Sequence, residues 1–294
     1  MNQTAGVLIA IVSSCLGGSA AAVTRYLAAG TDPITLAVLR WAIGFMLVLP
    51  VTLVTRAKWP PRQDWLAVAL LGLAFFGLFF VLYNIALGYT TAARATLALS
   101  TLPLQTMAVG ALLGIEPLTA RKSFGVVIAM LGVFAALVTG LSAAPPGAWR
   151  GEAIMIGAVL CMAFYNVWTR QFIVRSSAMG FLCVGMGAGA AALIVAGLAT
   201  GHLSVLETFT PAQWTAGIYL GIGGGALAFI LWVMALQRAS PTLVANTMTV
   251  NPVAAALLAT YLVDEPITLN LVVGLIAVFA GIWLATTGGA KQKA

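Results

Sequence analysis

Long apolar runs fill most of the chain, and short polar intervals separate them. Each run is long enough to cross the hydrocarbon core of a bilayer, which takes about 20 apolar residues per helix. The runs greatly exceed the alternating segments of about ten residues that build membrane β-barrels, so they predict helices. Ten spans result, numbered 1 to 10 in chain order: 6–28, 33–54, 65–87, 92–114, 123–140, 151–172, 178–200, 213–236, 241–263 and 269–288.

Composition supports an all-α membrane protein. Hydrophobic residues make up 62% of the 294 positions and charged residues only 7%, whereas a soluble domain carries roughly a quarter charged residues. The longest connections, near 56–64 and 202–212, are too short to form a soluble domain. Any function is therefore expected to lie within the bilayer, and the three cysteines, all inside spans, are interpreted as packing residues.

The charge of +7 is explained by topology. Lys and Arg favour the cytoplasmic side of short loops, and placing both termini there puts most basic residues on that side. Four of the 14 Lys and Arg residues then lie at the other side, namely Arg25, Arg40, Arg94 and Arg150. The predicted location is the cell (inner) membrane with both termini cytoplasmic, and nucleic-acid binding is not expected.

A repeated phrase divides the chain into two halves. "IEPLT" at 115–119 returns as "DEPIT" at 264–268, 149 positions later, and the same shift pairs Pro103 with Pro252 and a Gly-x6-Gly pattern in span 5 with one in span 10. The predicted repeats are 1–145 and 146–294, with five helices each. Because five is odd, the second repeat enters the membrane from the opposite face. Inverted repeats are typical of secondary transporters, which bind substrate near the midplane.

The chain resembles the drug/metabolite transporter superfamily in its EamA-type branch. The features that carry the resemblance are ten spans in two five-helix repeats, "LRWAIG" in span 2, and an acidic-Pro turn before a Gly-x6-Gly helix. Within that branch, the length and the aromatic-rich spans resemble YddG-type exporters of aromatic amino acids. The resemblance implies a ten-helix basket with a central cavity, lined mainly by spans 1, 3, 4, 6, 8 and 9, that opens alternately to the two sides.

Polar residues on spans 4 and 9 are candidates for substrate binding. Ser100 of span 4, and Asn246 and Thr249 of span 9, lie on corresponding helix faces. Polar side chains in membrane helices usually face protein or a water-filled cavity. The alternative is that they form hydrogen bonds between helices. Pro103 and Pro252 lie mid-span, where each is expected to bend its helix, and their symmetry suggests hinges.

Aromatic residues form a second candidate group. Tyr83 is the repeat mate of Trp232, and Tyr165 and Trp168 lie one turn apart on span 6. Their rings are suited to stack on an aromatic or apolar substrate. The alternative is a belt at the membrane interface, which is the interpretation adopted for Trp41 and most other tryptophans.

The arginine of span 2 and the glycines of span 7 each have two interpretations. Arg40 is expected to reach the outer surface or to pair with Asp32; the alternative is that it points inward and attracts a carboxylate. Gly185, Gly187 and Gly189 of span 7 are expected to allow close helix packing, either within the chain or between chains.

These features predict a secondary transporter that exports aromatic and other apolar or neutral amino acids, or similar small metabolites. No Asp or Glu lies well inside a span and the single His is in a loop, so a facilitative mechanism is favoured over proton coupling. No catalytic residues, metal or cofactor are predicted, and the expected partners are a small-molecule substrate and the lipid bilayer, with a monomer as default. The alternatives are a proton-coupled carrier of another metabolite or drug class and a channel-like pore.

Overall fold

The computed structural model describes residues 3–115 and 144–267, and scattered residues of the stretches 116–143 and 268–280. Within these residues the chain is helical and contains no β-strand. Eight helices are long and apolar enough to cross a membrane, and they correspond to predicted spans 1–4 and 6–9. Most of spans 5 and 10, both Gly-x6-Gly patterns, the whole first Glu-Pro-x-Thr phrase (116–119) and Thr268 of the second lie outside the described residues.

The helices begin at side chains that cap free backbone amides. The Asp32 side chain accepts hydrogen bonds from the backbone N–H groups of Ile34 and Thr35, and Thr210 forms a reciprocal capping box with Gln213. Such caps satisfy donors that have no partner inside the helix. The observed bounds are Gln3–Ala28, Pro33–Val54, Arg62–Tyr89, Ala92–Leu112, Ala148–Arg175, Ala178–Thr200 and Pro211–Arg238 for spans 1–4 and 6–8, with span 9 running from Pro241 to Val263.

Spans 3 and 8 each contain a π-helical segment. In span 3 it covers Leu73–Phe79, and in span 8 it covers Leu220–Leu227, which lies 149 positions after residues 71–78. The segment in span 8 is rich in glycine, which stabilises an α-helix poorly. Such segments are rare and frequently occur at functional sites.

Spans 4 and 9 are interrupted at matching positions. Span 4 consists of the helices Ala92–Leu99 and Leu102–Leu112. Span 9 consists of Pro241–Asn246, a 3₁₀ turn at Thr247–Val250, and Asn251–Val263. Pro103 and Pro252 occupy the first turn of the second helix in each span, where a missing N–H costs nothing. The interruptions therefore fall directly before the two prolines.

An aromatic cluster forms the centre of the bundle. The Trp41 ring lies edge-on to those of Phe76, Phe80 and Phe229, with centroid distances of 4.8, 4.4 and 5.2 Å. Trp41 is 0% exposed, so its expected place at the membrane interface is wrong. The physical reason is that three rings from spans 3 and 8 surround its position and bury the indole.

Spans 3 and 7 approach each other through glycine. A Cβ atom on Gly72 would overlap the carbonyl group of Gly185, and one on Gly189 would overlap the side chain of Phe76. Missing side chains allow the two backbones to touch, as is common between membrane helices. Gly185 and Gly189 thus support close packing within the chain.

Candidate functional site

A small cavity lies at the centre of the bundle, with walls from spans 1, 2, 3, 4, 6, 8 and 9. Its polar lining comes from Ser13, Arg40, Tyr83, Trp232 and Asn251, and the rest is apolar or aromatic. The volume is about 30 Å³, roughly enough for one water molecule. In this conformation the space between the walls is therefore too small for an amino acid. The family resemblance implies a lining from six of these spans, and span 2 joins them through Arg40.

Tyr83 of span 3 and Trp232 of span 8 both contribute to the cavity wall. Both side chains line the cavity and are 3% and 2% exposed. The Trp232 Nε1–H donates a hydrogen bond to Oδ1 of Asn166 at 3.1 Å, which fixes the indole against span 6. Of the residues predicted to bind substrate, Tyr83 is thus placed in the cavity wall.

Span 6 places its two aromatic candidates away from the cavity. Tyr165 is fully buried and stacks on Phe75, with ring centroids 4.4 Å apart. Trp168 lies in a lateral groove between spans 3 and 6, beside Phe164 and Cys161. In this conformation Tyr165 supports the aromatic cluster and Trp168 faces the side of the bundle.

Ser100, Asn246 and Thr249 lie beside the interruptions of spans 4 and 9. All three are buried. The Ser100 hydroxyl donates to the Thr96 carbonyl at 3.1 Å, and the Thr249 hydroxyl donates to the Asn246 carbonyl at 2.8 Å. These bonds stay within one helix, and none of the three side chains lines the cavity in this conformation.

Arg40 turns inward, so the expectation that it reaches the outer surface is wrong. Its Nη2 donates to the carbonyl oxygen of Gly224 at 2.6 Å, and its Cζ lies 4.6 Å from the centre of the Phe80 ring. Asp32, the expected partner, caps span 2 instead. Glycine in the π-helical segment lets span 8 lie close to span 2 at this point, because a Cβ on Gly225 would lie 2.9 Å from the Arg40 carbonyl oxygen. The "GIGGGA" run was the sequence signal for this contact.

Ion pairs fasten one end of the bundle, here called the Arg25 end. The Arg25 Nε lies 3.2 Å from Oε1 of Glu265, and its Nη1 donates to the Leu87 carbonyl at 3.0 Å. Glu265 Oε2 accepts a hydrogen bond from the Ala92 backbone N–H at 3.0 Å. Spans 1, 3 and 4 and the end of span 9 are thus tied together. Burial raises the pKa of Glu265, and the Ala92 N–H and Arg25 offset part of this rise.

A second pair at the same end joins spans 4 and 6. The Arg94 Nε lies 2.6 Å from Oε1 of Glu152, which also accepts from the Thr90 hydroxyl at 3.3 Å.

Among the residues that the structure describes, no three His, Cys, Asp or Glu side chains come together as ligands for a metal ion.

Comparison with known proteins gives consistent matches over nearly the whole chain. The model of the EamA-like transporter family matches residues 4–138 and again residues 149–287. A protein of Archaeoglobus fulgidus, named an uncharacterized transporter, is 28% identical over 264 residues, covering 89% of each chain. The uncharacterized inner membrane transporter YedA of Escherichia coli K12 is 28% identical over 80% of this chain and 76% of its own.

Two further matches concern a named activity and the fold. A probable terminal-alkyne amino-acid exporter of Streptantibioticus cattleyicolor is 26% identical over 80% of this chain and 78% of its own. A crystal structure with 20% identity superposes over 97% of both chains with a TM-score of 0.73. At that identity the match shows a shared fold.

Proposed function

Because the chain belongs to the EamA-like transporter family, and is thus a multi-pass membrane transporter and not an enzyme, we propose that it exports amino acids with aromatic, apolar or neutral side chains. The observation that carries the proposal is the central cavity, whose walls include Phe79, Phe80, Tyr83, Phe229 and Trp232. Such rings offer large flat surfaces for an apolar side chain. The similarity to a probable amino-acid exporter supports the same substrate class.

The proposed architecture is ten spans in two inverted repeats, 1–145 and 146–294, with both termini in the cytoplasm. Two segments of the chain match the same family model. The π-helical segments overlap under a shift of 149 positions, and the interruptions before Pro103 and Pro252 do so as well. Two such halves in one chain form a complete transport unit, which supports a monomer.

Transport then proceeds by alternating access. A cavity of about 30 Å³ cannot hold an amino acid, so its walls must separate to admit substrate. We place the hinges at Pro103 and Pro252, where spans 4 and 9 are already interrupted. Re-angling these spans brings Ser100, Asn246 and Thr249 toward the widened cavity. The ion pairs at the Arg25 end close that end while substrate enters from the other.

A facilitative mechanism agrees with the cavity's chemistry. Its described walls contain no Asp, Glu or His, so they offer no group suited to carry a coupling proton. The substrate's own gradient then drives export. An inward proton gradient that produced uphill movement would contradict this part of the proposal.

The test is transport by the purified full chain in sealed liposomes. Radiolabelled Phe, Trp, Thr and Met are followed beside Lys and Glu, first without a proton gradient. Saturable movement of the first four, accelerated by unlabelled substrate on the opposite side, supports the proposal and distinguishes a carrier from a channel. If none of the four moves, the proposed substrate class is wrong.

A further inference from the structure

We infer that Arg40 binds the carboxylate of the transported substrate, so that a carboxylate is required for recognition. This inference rests on the proposed function for the location of the site, and it adds a residue and a chemical requirement. It starts from the cost of a guanidinium inside a membrane protein. Charged side chains within spans are expensive and are retained where a partner or a function compensates.

The surroundings of Arg40 satisfy its charge only in part. The side chain is 3% exposed and lines the cavity. A guanidinium has five N–H donors, and the described contacts of Arg40 include one hydrogen bond, from Nη2 to the Gly224 carbonyl. Its Nε and Nη1 are buried and make no hydrogen bond of normal geometry to the described residues, and the polar side chain nearest to sharing its charge is that of Tyr83, whose ring centre lies 5.9 Å from Cζ. The ring of Phe80 gives cation–π stabilisation but accepts no conventional hydrogen bond from these donors.

No acidic side chain in the described part of the chain neutralises Arg40. Asp32 caps span 2, Asp64 lies beside Arg175, and Glu152 and Glu265 pair with Arg94 and Arg25. The two remaining described acidic residues, Glu207 and Asp264, are exposed. The cavity therefore presents a positive charge at its wall without a fixed negative partner. An anionic ligand oxygen would supply the missing charge and the missing acceptors together.

The guanidinium is also held in position before any ligand arrives. The Gly224 carbonyl fixes Nη2, and the rings of Phe80 and Trp41 lie 4.6 and 5.3 Å from Cζ. Preorganisation of this kind reduces the entropy that binding must overcome. A lysine at this position would keep the charge and lose the planar, fixed geometry.

The cavity has a second unsatisfied polar group of the opposite kind. Asn251 is 1% exposed and lines the cavity, and its Oδ1 has no hydrogen-bond partner among the described residues. Its Nδ2 contacts Sδ of Met248 at 3.5 Å. An oxygen of this kind accepts hydrogen bonds from an ammonium group. With Arg40 for the carboxylate, Asn251 completes a site for the two charged groups of an α-amino acid.

The test compares ligands that differ in one charged group. Thermal stabilisation of the purified full chain, and counterflow in liposomes, are measured with phenylalanine, 3-phenylpropionate, phenylalaninol and phenethylamine. The first two carry a carboxylate and the last two do not. We expect both carboxylates to bind, and the two compounds without a carboxylate to bind roughly 10- to 100-fold more weakly, as for loss of a charge-assisted hydrogen bond.

Variants separate ligand binding from a merely structural role. Arg40→Gln is expected to lose selectivity for the carboxylates, and Arg40→Lys to retain part of it. Arg238→Gln is the matched control, because Arg238 also donates to a backbone carbonyl, that of Met234, but does not line the cavity. If Arg40→Gln does not fold, the ligand series on the unmodified protein and on Arg40→Lys still decides.

The outcomes distinguish this inference from the proposed function. If 3-phenylpropionate binds and moves while amino acids do not, Arg40 keeps its assigned role and the proposed amino-acid class is wrong. If phenylalanine and phenylalaninol bind equally well, the proposed amino-acid transport is retained, and the inference that Arg40 requires a carboxylate is overturned. Absence of stabilisation by any carboxylate overturns it as well.

Discussion

The Nε atom of Arg94 lies 2.6 Å from Oε1 of Glu152, and these side chains are only 11% and 6% exposed. Removing one partner of such a pair leaves a buried charge alone, at a cost of about 3–5 kcal/mol. We therefore expect Glu152→Gln or Arg94→Met to lower the unfolding free energy in detergent by an amount near that range. The joint replacement Arg94→Met with Glu152→Leu should recover most of the loss. Simple addition of the two single losses would contradict this coupling.

Glu265 gives a prediction about pH. Burial raises its pKa above the ordinary value of 4.5, so the folded protein holds this proton more tightly than the unfolded chain does. The contribution of Glu265 to stability is therefore most favourable below the ordinary pKa and falls as pH rises through the raised one. Glu265→Gln cannot ionise and should flatten the stability profile in that window, measured as Tm against pH.

The control for Glu265 removes a carboxylate from the surface. Glu207 is exposed in the short helix His202–Thr208, and Glu207→Gln should leave the fall in stability across that window in place. If both variants flatten the profile of Tm against pH equally, Glu265 is not the source of the fall in stability.

Tyr83 and Tyr165 separate substrate contact from packing. Tyr83 lines the cavity, whereas Tyr165 does not line it and stacks on Phe75. An aromatic contact contributes about 0.5–1.5 kcal/mol, so Tyr83→Leu should raise KM for Phe and Trp roughly 2- to 10-fold. Tyr165→Leu should lower Tm and leave KM unchanged. Kinetics in liposomes and Tm in detergent check the pair, and a KM effect at Tyr165 alone would reverse the assignment.

The proposed hinges are tested by proline replacement. Pro103→Ala and Pro252→Ala restore a backbone N–H and allow spans 4 and 9 to become continuous helices, so we expect a lower transport rate with little change in KM. Pro50→Ala is the control, since Pro50 lies exposed within the helix of span 2 and outside the cavity. An unaltered rate in both hinge variants would remove the hinge proposal.

The contact of spans 3 and 7 predicts a steric effect. A methyl group at Gly72 would overlap the carbonyl of Gly185, and overpacking of this kind costs about 1–3 kcal/mol. Gly72→Ala should lower stability accordingly. No atom lies within 4 Å of a Cβ placed on Gly157 in span 6, so Gly157→Ala should be neutral or stabilise by up to about 1 kcal/mol through helix propensity. Thermal unfolding of both variants provides the check.

The sequence predicts the position of the described helices well and their rotation poorly. Spans 2 and 7 begin and end at the predicted residues, because their apolar length and the caps Asp32 and Ser177 are local features. The direction of Arg40 and the burial of Trp41 depend on which neighbour faces span 2. A helix that is apolar on all sides gives little periodic signal for its orientation. The sequence therefore predicts the aromatic composition of the site better than its individual contacts.

The two π-helical segments determine which side chains face the cavity. Each helix advances by about 100° per residue, so the extra residue in a widened turn rotates everything that follows by about that angle. Phe80 and Tyr83 follow the segment Leu73–Phe79, and Phe229 and Trp232 follow Leu220–Leu227. Deleting a single residue from either segment would turn these rings away and present adjacent side chains in their place. Substrate preference in this fold can thus change through a one-residue change in the length of either π-helical segment, without replacement of any ring that lines the cavity.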